Sequence, residues 1–210
     1  MALHVERFSK LRPFLYHLTD PVNLIQMCET VAIEPAAELM RKAGRFDLLR
    51  ERRREHERIS LGSREVVLRD QGPLHAANVA FPTGFGIEDL VESLNRRVFF
   101  WPGTEAGPSD YGVRHFERYR SEEPTVLRMP FASLIRANPG AQPMFCGYNS
   151  GSPRCSAGLK SPRGPGTFAA AAAFDGPPSD VVEVTFERVL RIPPDAEYGH
   201  EPTGPWLRLL

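Results

Sequence analysis

The spacing of apolar positions changes several times along the chain, and the first change is the sharpest. Phe14, Leu15 and Tyr16 form a short run that reads as a strand, while Leu24, Ile25 and Cys28 follow at helical spacing. Between them stand Asp20, able to cap the first free amides of a helix, and Pro21. Proline suits the first helical position because its missing N–H would have no partner there. His17 and Thr19 are therefore predicted to sit in a tight strand-to-helix corner. The amides and partial positive charge of such a corner suit a phosphate or a polar ribose edge.

The rest of the pattern predicts short elements. Residues 2–10 read as a helix or arm with Leu3, Phe8 and Leu11 as apolar contacts, and residues 36–42 as a helix that Gly44 ends. A further helix is expected over about 47–59, with Leu48, Leu49 and Ile59 on one side. Its charged run 50–55 is either a solvated face of Glu–Arg pairs or a groove for a nucleic-acid backbone. Residues 64–69 predict a strand and 70–73 a turn. Ile87, Leu90, Val91 and Leu94 fall at i, i+3, i+4 and i+7, an amphipathic helix over 86–95. Residues 97–102 predict a buried strand stopped by Pro102. Ser109 or Asp110 would cap a helix reaching about Arg120, with Tyr111, His115, Phe116 and Tyr119 along it.

Strands are expected over 125–129 and 144–148, with a short helix over 131–137 between them. Residues 149–167, crowded with Gly, Ser, Pro and Arg, read as a long exposed loop, mobile or used as a lid or binding segment. The alanine run 169–173 has high helix propensity but is too short to decide its own state. Residues 180–186 form a strong strand by β-branched content, with Glu183 on the opposite face from Val182 and Val184. Residues 189–192 would close the sheet, and the Pro/Gly-rich tail, ending in Trp206-Leu207-Arg208-Leu209-Leu210, would pack back on the core.

Composition narrows the possibilities. The 210 residues suffice for one domain with a sizeable core, and 20 prolines favour loops. Lys plus Arg and Asp plus Glu are 26 each, so no global electrostatic grip on nucleic acid is implied, although a local basic face is compatible. Cys28, Cys146 and Cys155 make neither a disulfide framework nor a zinc motif. No apolar run is long enough for a membrane span, and the N-terminus lacks the features of a signal peptide, so no membrane association and a cytoplasmic location are expected. There is no phosphate-cradling glycine loop, no His-Glu-x-x-His and no Gly-x-Ser-x-Gly. Glu183 is either the polar side of an amphipathic strand or, if it faces a cleft, a group that stabilises a cation or orients a ribose hydroxyl. Taken alone, His17 reads as a structural histidine, and Phe100 and Trp101 read as core.

The run Tyr16-His17-Leu18-Thr19-Asp20-Pro21-Val22-Asn23-Leu24-Ile25 resembles the opening motif of the ADP-ribosyltransferase superfamily. It is most similar to the DarT-type toxins that modify DNA bases, which open with a His-Ile-Thr corner followed by Asn-Leu at the same offset. Glu183 in Val-Val-Glu-Val is similar to the late strand that carries the superfamily's catalytic glutamate, and strand 97–102 to its aromatic second-strand region. The chain also resembles an uncharacterised bacterial family with the run Leu-Asn-Arg-Arg-Val-Phe-Phe-Trp-Pro and a later Asn-Ser-Gly.

The resemblance implies a single α+β domain over residues 1–210, with a split mixed β-sheet of the ADP-ribosyltransferase type and flanking helices. It implies NAD as substrate, no metal, and transfer of ADP-ribose with release of nicotinamide. Glu183 and His17 would be the catalytic pair. Glu183 would stabilise the oxocarbenium-like state, and His17 would hydrogen-bond a ribose hydroxyl. Thr19 would fix the nicotinamide side, and Asn23 would touch the adenosine half or support its helix. Arg69 or Arg97 would bind the pyrophosphate, and Phe100 or Trp101 would stack on nicotinamide. The acceptor expected first is a nucleic-acid base, DNA or RNA, with Arg154, Lys160 and Arg163 available to phosphate. An antitoxin or hydrolase partner is implied by the toxin likeness. The alternatives are a NAD glycohydrolase and a catalytically inactive nucleotide- or partner-binding module of the same fold.

Overall fold

The computed structural model describes residues 3–210, so the first residue of the expected N-terminal arm, Ala2, lies outside them. In chain order the first elements are α1 (Val5–Leu11), β1 (Phe14–Thr19), α2 (Pro21–Thr30), β2 (Ala32–Ile33), α3 (Ala36–Lys42), β3 (Glu57–Leu61), β4 (Arg64–Leu68) and β5 (Val79–Ala80). The middle of the chain gives α4 (Ile87–Asn95), β6 (Val98–Thr104), β7 (Gly107–Pro108), α5 (Asp110–Tyr119), β8 (Thr125–Pro130), α6 (Phe131–Ala137) and β9 (Met144–Cys146). It ends with β10 (Ser161–Pro162), β11 (Ala169–Ala170), β12 (Glu183–Phe186), β13 (Leu190–Arg191), β14 (Glu197–Gly199) and β15 (Leu207–Arg208). This is an α+β fold. A nine-stranded sheet runs β11-β9-β12-β6-β1-β8-β14-β15, with β7 folded against β6. Its pairings are antiparallel, and among the described residues the parallel pairing is β10 on β5, outside that sheet.

The pleat of the central strands sorts the chain into a core and a cleft. On β12, Val184 and Phe186 enter the main apolar cluster, joined there by Phe100 of β6 and by Leu127 and Met129 of β8. Phe8 of α1 closes that face, with edge-on ring contacts to Phe131 at 5.5 Å and Phe145 at 5.3 Å. Glu183, Phe99 and Trp101, at the alternate positions, line the cleft. The expected strand-to-helix corner is present: Asp20 Oδ1 accepts the Val22 N–H at 2.9 Å, and Pro21 is the first residue of α2.

Asn23, one turn into α2, binds the helix to β4. Its Oδ1 accepts the Val67 N–H at 2.7 Å, and its Nδ2 donates to the Val67 carbonyl at 2.9 Å and to Thr19 Oγ1 at 3.2 Å. These are the backbone groups a neighbouring strand would have satisfied. Asn23→Ala leaves both unpaired in a buried setting, and a loss of about 2 kcal/mol is expected. Thermal melting checks it. An unchanged melting temperature with weakened ligand binding would instead make Asn23 a ligand contact.

Several sequence expectations are corrected. Residues 47–59 are not one helix: a 3-10 turn covers Phe46–Leu49, irregular chain follows, and β3 begins at Glu57. Arg52 and Arg53 turn inward to the carbonyls of Gln71, Gly72 and Arg69, and those tertiary bonds override the helix propensity of the run. Pro102 does not stop β6, which continues to Thr104. The Pro102 carbonyl accepts from Ser109 on the flank away from β1, so the missing N–H also falls on that flank, past the last β12 pair at Phe100. Residues 189–192 do not close the sheet; β13 pairs with β2 in a separate ladder. The alanine run, too short to decide its own state, is settled by its neighbour: Ala169 and Ala170 extend the sheet at β9. The 149–167 segment is only partly exposed: Ser150, Arg163 and Thr167 are buried, and Ser161–Pro162 pairs with Val79–Ala80.

Candidate functional site

A cleft of about 820 Å³ opens beside the corner, within the range of roughly 300–1,000 Å³ typical of small-molecule and cofactor sites. Of the residues singled out from sequence, His17, Thr19, Asn23, Arg69, Arg97, Trp101 and Glu183 all line it. Phe100 does not. It is fully buried in the main core, with its ring 5.9 Å from Phe186, so it is not available to stack on a ligand. Seven arginines and four carboxylates line the cleft, so a chain of zero net charge carries a locally positive cavity.

Glu183 is 3% exposed. Both of its oxygens lie 3.2 Å from the Ser150 N–H, which donates to them. Burial pushes the carboxyl up to about 7; the Ser150 bonds and the nearby Arg163 charge oppose that shift without cancelling it. Arg163 holds the Ser150 turn in place. Its guanidinium donates to the carbonyls of Pro162 at 2.8 Å, Asn149 at 2.9 Å and Ser150 at 3.2 Å, and lies 4.0 Å over the Tyr148 ring. Cys146, paired with Glu183 across β9 and β12, is no nucleophile, because burial and then the Glu183 charge push its thiol up to about 12.

His17 Nδ1 lies 2.9 Å from the Phe99 carbonyl. A carbonyl can only accept, so Nδ1 carries the proton and Nε2 is left as an acceptor. Burial, with a smaller contribution from the Arg69 charge, pulls its pKa down to about 4 against the Phe99 bond, so the ring is neutral at pH 7. Thr19 is buried and accepts from Asn23, keeping its own hydroxyl proton to donate.

The two arginines considered from sequence are unlike. Arg97 is engaged, donating to the Ser93 carbonyl and hydroxyl and to Glu187 and lying over Phe168. Arg69 makes one long contact, 3.3 Å to Glu122, and its Nε has no partner among the described residues. It lies 4.3 Å over the Tyr119 ring. Trp101 is already stacked by His115 at a centroid distance of 4.3 Å.

Helix α5 contributes a whole stripe that sequence reasoning did not assign to the site: Tyr111, Arg114, His115, Arg118 and Tyr119. Their i, i+3, i+4, i+7, i+8 spacing was the available signal. Arg53 was also missed. It is buried, with its Nε on the Arg69 carbonyl and an Nη on Asn95 Oδ1, and burial lowers its guanidinium to about 10. Among the described residues no cluster of His, Cys, Asp or Glu could hold a metal ion, and no helix is long and apolar enough to cross a membrane.

Fold and site together define an α+β protein whose first strand-to-helix corner and late-strand glutamate border one arginine-lined cleft. The chain belongs to the DUF7002 family, a family of unknown function, whose model matches residues 13–194. No curated protein and no solved structure matches it.

Proposed function

We propose that this protein is a NAD-dependent ADP-ribosyltransferase, built on a sheet of that superfamily's type, that transfers ADP-ribose to a macromolecular acceptor. The observation that carries the reading is that His17 and Glu183, from opposite ends of the chain, line the same cavity. The two resemblances that named them were independent short motifs. Cleaving the nicotinamide–ribose bond develops positive charge on the ribose, and a buried carboxylate stabilises that charge more than the ground state. Glu183 would do this once ionised. His17 Nε2, a fixed neutral acceptor, would take a hydrogen bond from a ribose hydroxyl. The positive lining suits the pyrophosphate, and Arg69, with its spare donors, suits it better than Arg97.

His17→Ala is expected to raise KM for NAD about tenfold while slowing the saturated reaction less, since the bond to ribose is present in both ground and transition states. Initial-rate kinetics separate the two. A fall confined to the maximal rate would remove the binding role.

The decisive experiment is nicotinamide release from NAD by the purified chain, with and without DNA or RNA, beside Glu183→Gln. Release that depends on Glu183 and rises with a nucleic acid supports transfer to that acceptor. Glu183-dependent release indifferent to every acceptor makes water the acceptor and the protein a glycohydrolase. NAD binding with no release leaves a nucleotide-binding module.

A further inference from the structure

Several arginines of this chain are matched to carboxylates. Arg120 pairs with Glu117 and Glu201, Arg128 with Glu197, Arg50 with Asp89, and Arg96 and Arg97 share Glu187. Along the cleft side of α5 two arginines are not. Arg114 and Arg118 sit one turn apart, both exposed, and neither makes an ion pair with a described residue. Arg114 lies 4.6 Å over the Tyr111 ring, and Arg69 approaches the same wall over Tyr119. The helix is pressed onto the sheet where it carries these groups. A Cβ on Gly112 would come within 2.7 Å of Pro108 and 2.9 Å of Trp101, so the orientation of the stripe is fixed by close backbone packing.

The carboxylates nearby do not neutralise this wall. Asp20 is bound to the Val22 N–H and Glu34 to Lys42, while Asp70 accepts from the Gly72 N–H and pairs with His56. What remains is a set of planar cationic donors facing a cavity, next to aromatic rings: Arg114 and Arg118 have no carboxylate partner among the described residues, and Arg69 has one long contact to Glu122 at 3.3 Å. Guanidinium groups in that setting match phosphate oxygens in geometry and charge.

We propose that the cleft side of α5, Arg114 and Arg118 together with Arg69, is a phosphate-binding subsite that takes a phosphate or pyrophosphate group of a ligand in the cleft. Arg97 has no part in it, because both of its Nη groups are already held, one by Ser93 and the other by Glu187. The subsite shares the cleft of the transferase reading but does not depend on the chemistry of Glu183. The phosphate has two possible sources, a dinucleotide substrate and a phosphorylated acceptor, and they differ in what competes for the site.

The test is calorimetric titration of the intact chain with inorganic pyrophosphate, comparing wild type, the double variant Arg114→Gln/Arg118→Gln, and Arg97→Gln. Binding should weaken about tenfold or more in the double variant and by less than about twofold in Arg97→Gln. It should also weaken as salt is raised. Both α5 substitutions are on exposed side chains, so an unchanged melting temperature without ligand shows that the fold is kept. Displacement of pyrophosphate by NAD makes the subsite that of the dinucleotide. Displacement by a short single-stranded oligonucleotide but not by NAD makes it that of the acceptor. No pyrophosphate binding by the wild type, or equal binding by the double variant, overturns the proposal. Pyrophosphate binding is read without any turnover, so a failure of the transferase chemistry would be seen separately.

Discussion

Glu183→Gln is expected to reduce nicotinamide release by about a thousandfold, the size of effect seen when one preorganised electrostatic group is removed from a transition state. The same substitution should not weaken the fold at alkaline pH. The Glu183 carboxyl is held near 7 by burial, above its ordinary 4.5, so the native chain binds the proton more tightly than the unfolded chain. Stability from this group is therefore fully present below about pH 4.5, is lost as pH rises to about 7, and levels off above; the whole span is about 3 kcal/mol. Glutamine carries no such penalty. Its variant should melt higher than wild type at pH 8, less whatever its new amide loses for want of an acceptor, and the gap should close towards pH 4.5. Turnover in the wild type should rise with pH through about 7, as the carboxylate forms. Melting curves and rate profiles across pH 4.5–9 check both halves. A variant that loses turnover and also melts lower at pH 8 would make Glu183 structural.

Arg163→Leu should act in the opposite way, on the fold first. Arg163 is 4% exposed and donates to three carbonyls of the segment that holds the Ser150 turn. Removing a buried charged donor leaves those acceptors unpaired, and a loss of about 4 kcal/mol is expected, or roughly 10 °C in melting temperature. Arg163→Lys keeps the charge but not the fork, and should recover only part of that. In the lysine variant the Ser150 N–H is less firmly aimed at Glu183, so the rising limb of the pH–rate profile should move above 7. If the lysine variant matches wild type in both melting and profile, the guanidinium geometry does not position Glu183.

The parts of this molecule that could be read from sequence were those decided locally. The Asp20–Pro21 start of α2 is one: cap and proline act within two residues. The amphipathic α4 is another, and the alternation that puts Glu183 opposite Val184 is a third. What could not be read depended on partners distant in the chain. The run from Arg50 looks like a helix until Arg52 and Arg53 find the carbonyls near Gln71. Pro102 looks like a stop until the register shows that its flank has no ladder bond to lose. Asn23 can be read from sequence as a ligand contact or as a support for its helix, and its pairing with Val67 rests on a strand 44 residues away. For the site, the corner and the glutamate were legible because each has a local signature. The α5 wall was not, since an Arg–aromatic stripe looks the same whether it meets solvent or a cleft.

The sheet order has a consequence for the timing of synthesis. The corner strand β1 is flanked by β6 and β8, and Glu183 reaches the cleft only when β12 docks on β6. Contacts between segments so far apart form slowly, because chain closure must come first. A ribosome that has made the His17 corner must still translate everything between it and Glu183 before the two can meet. Whatever the cleft does needs both residues, so a chain whose synthesis has not yet passed β12 cannot do it.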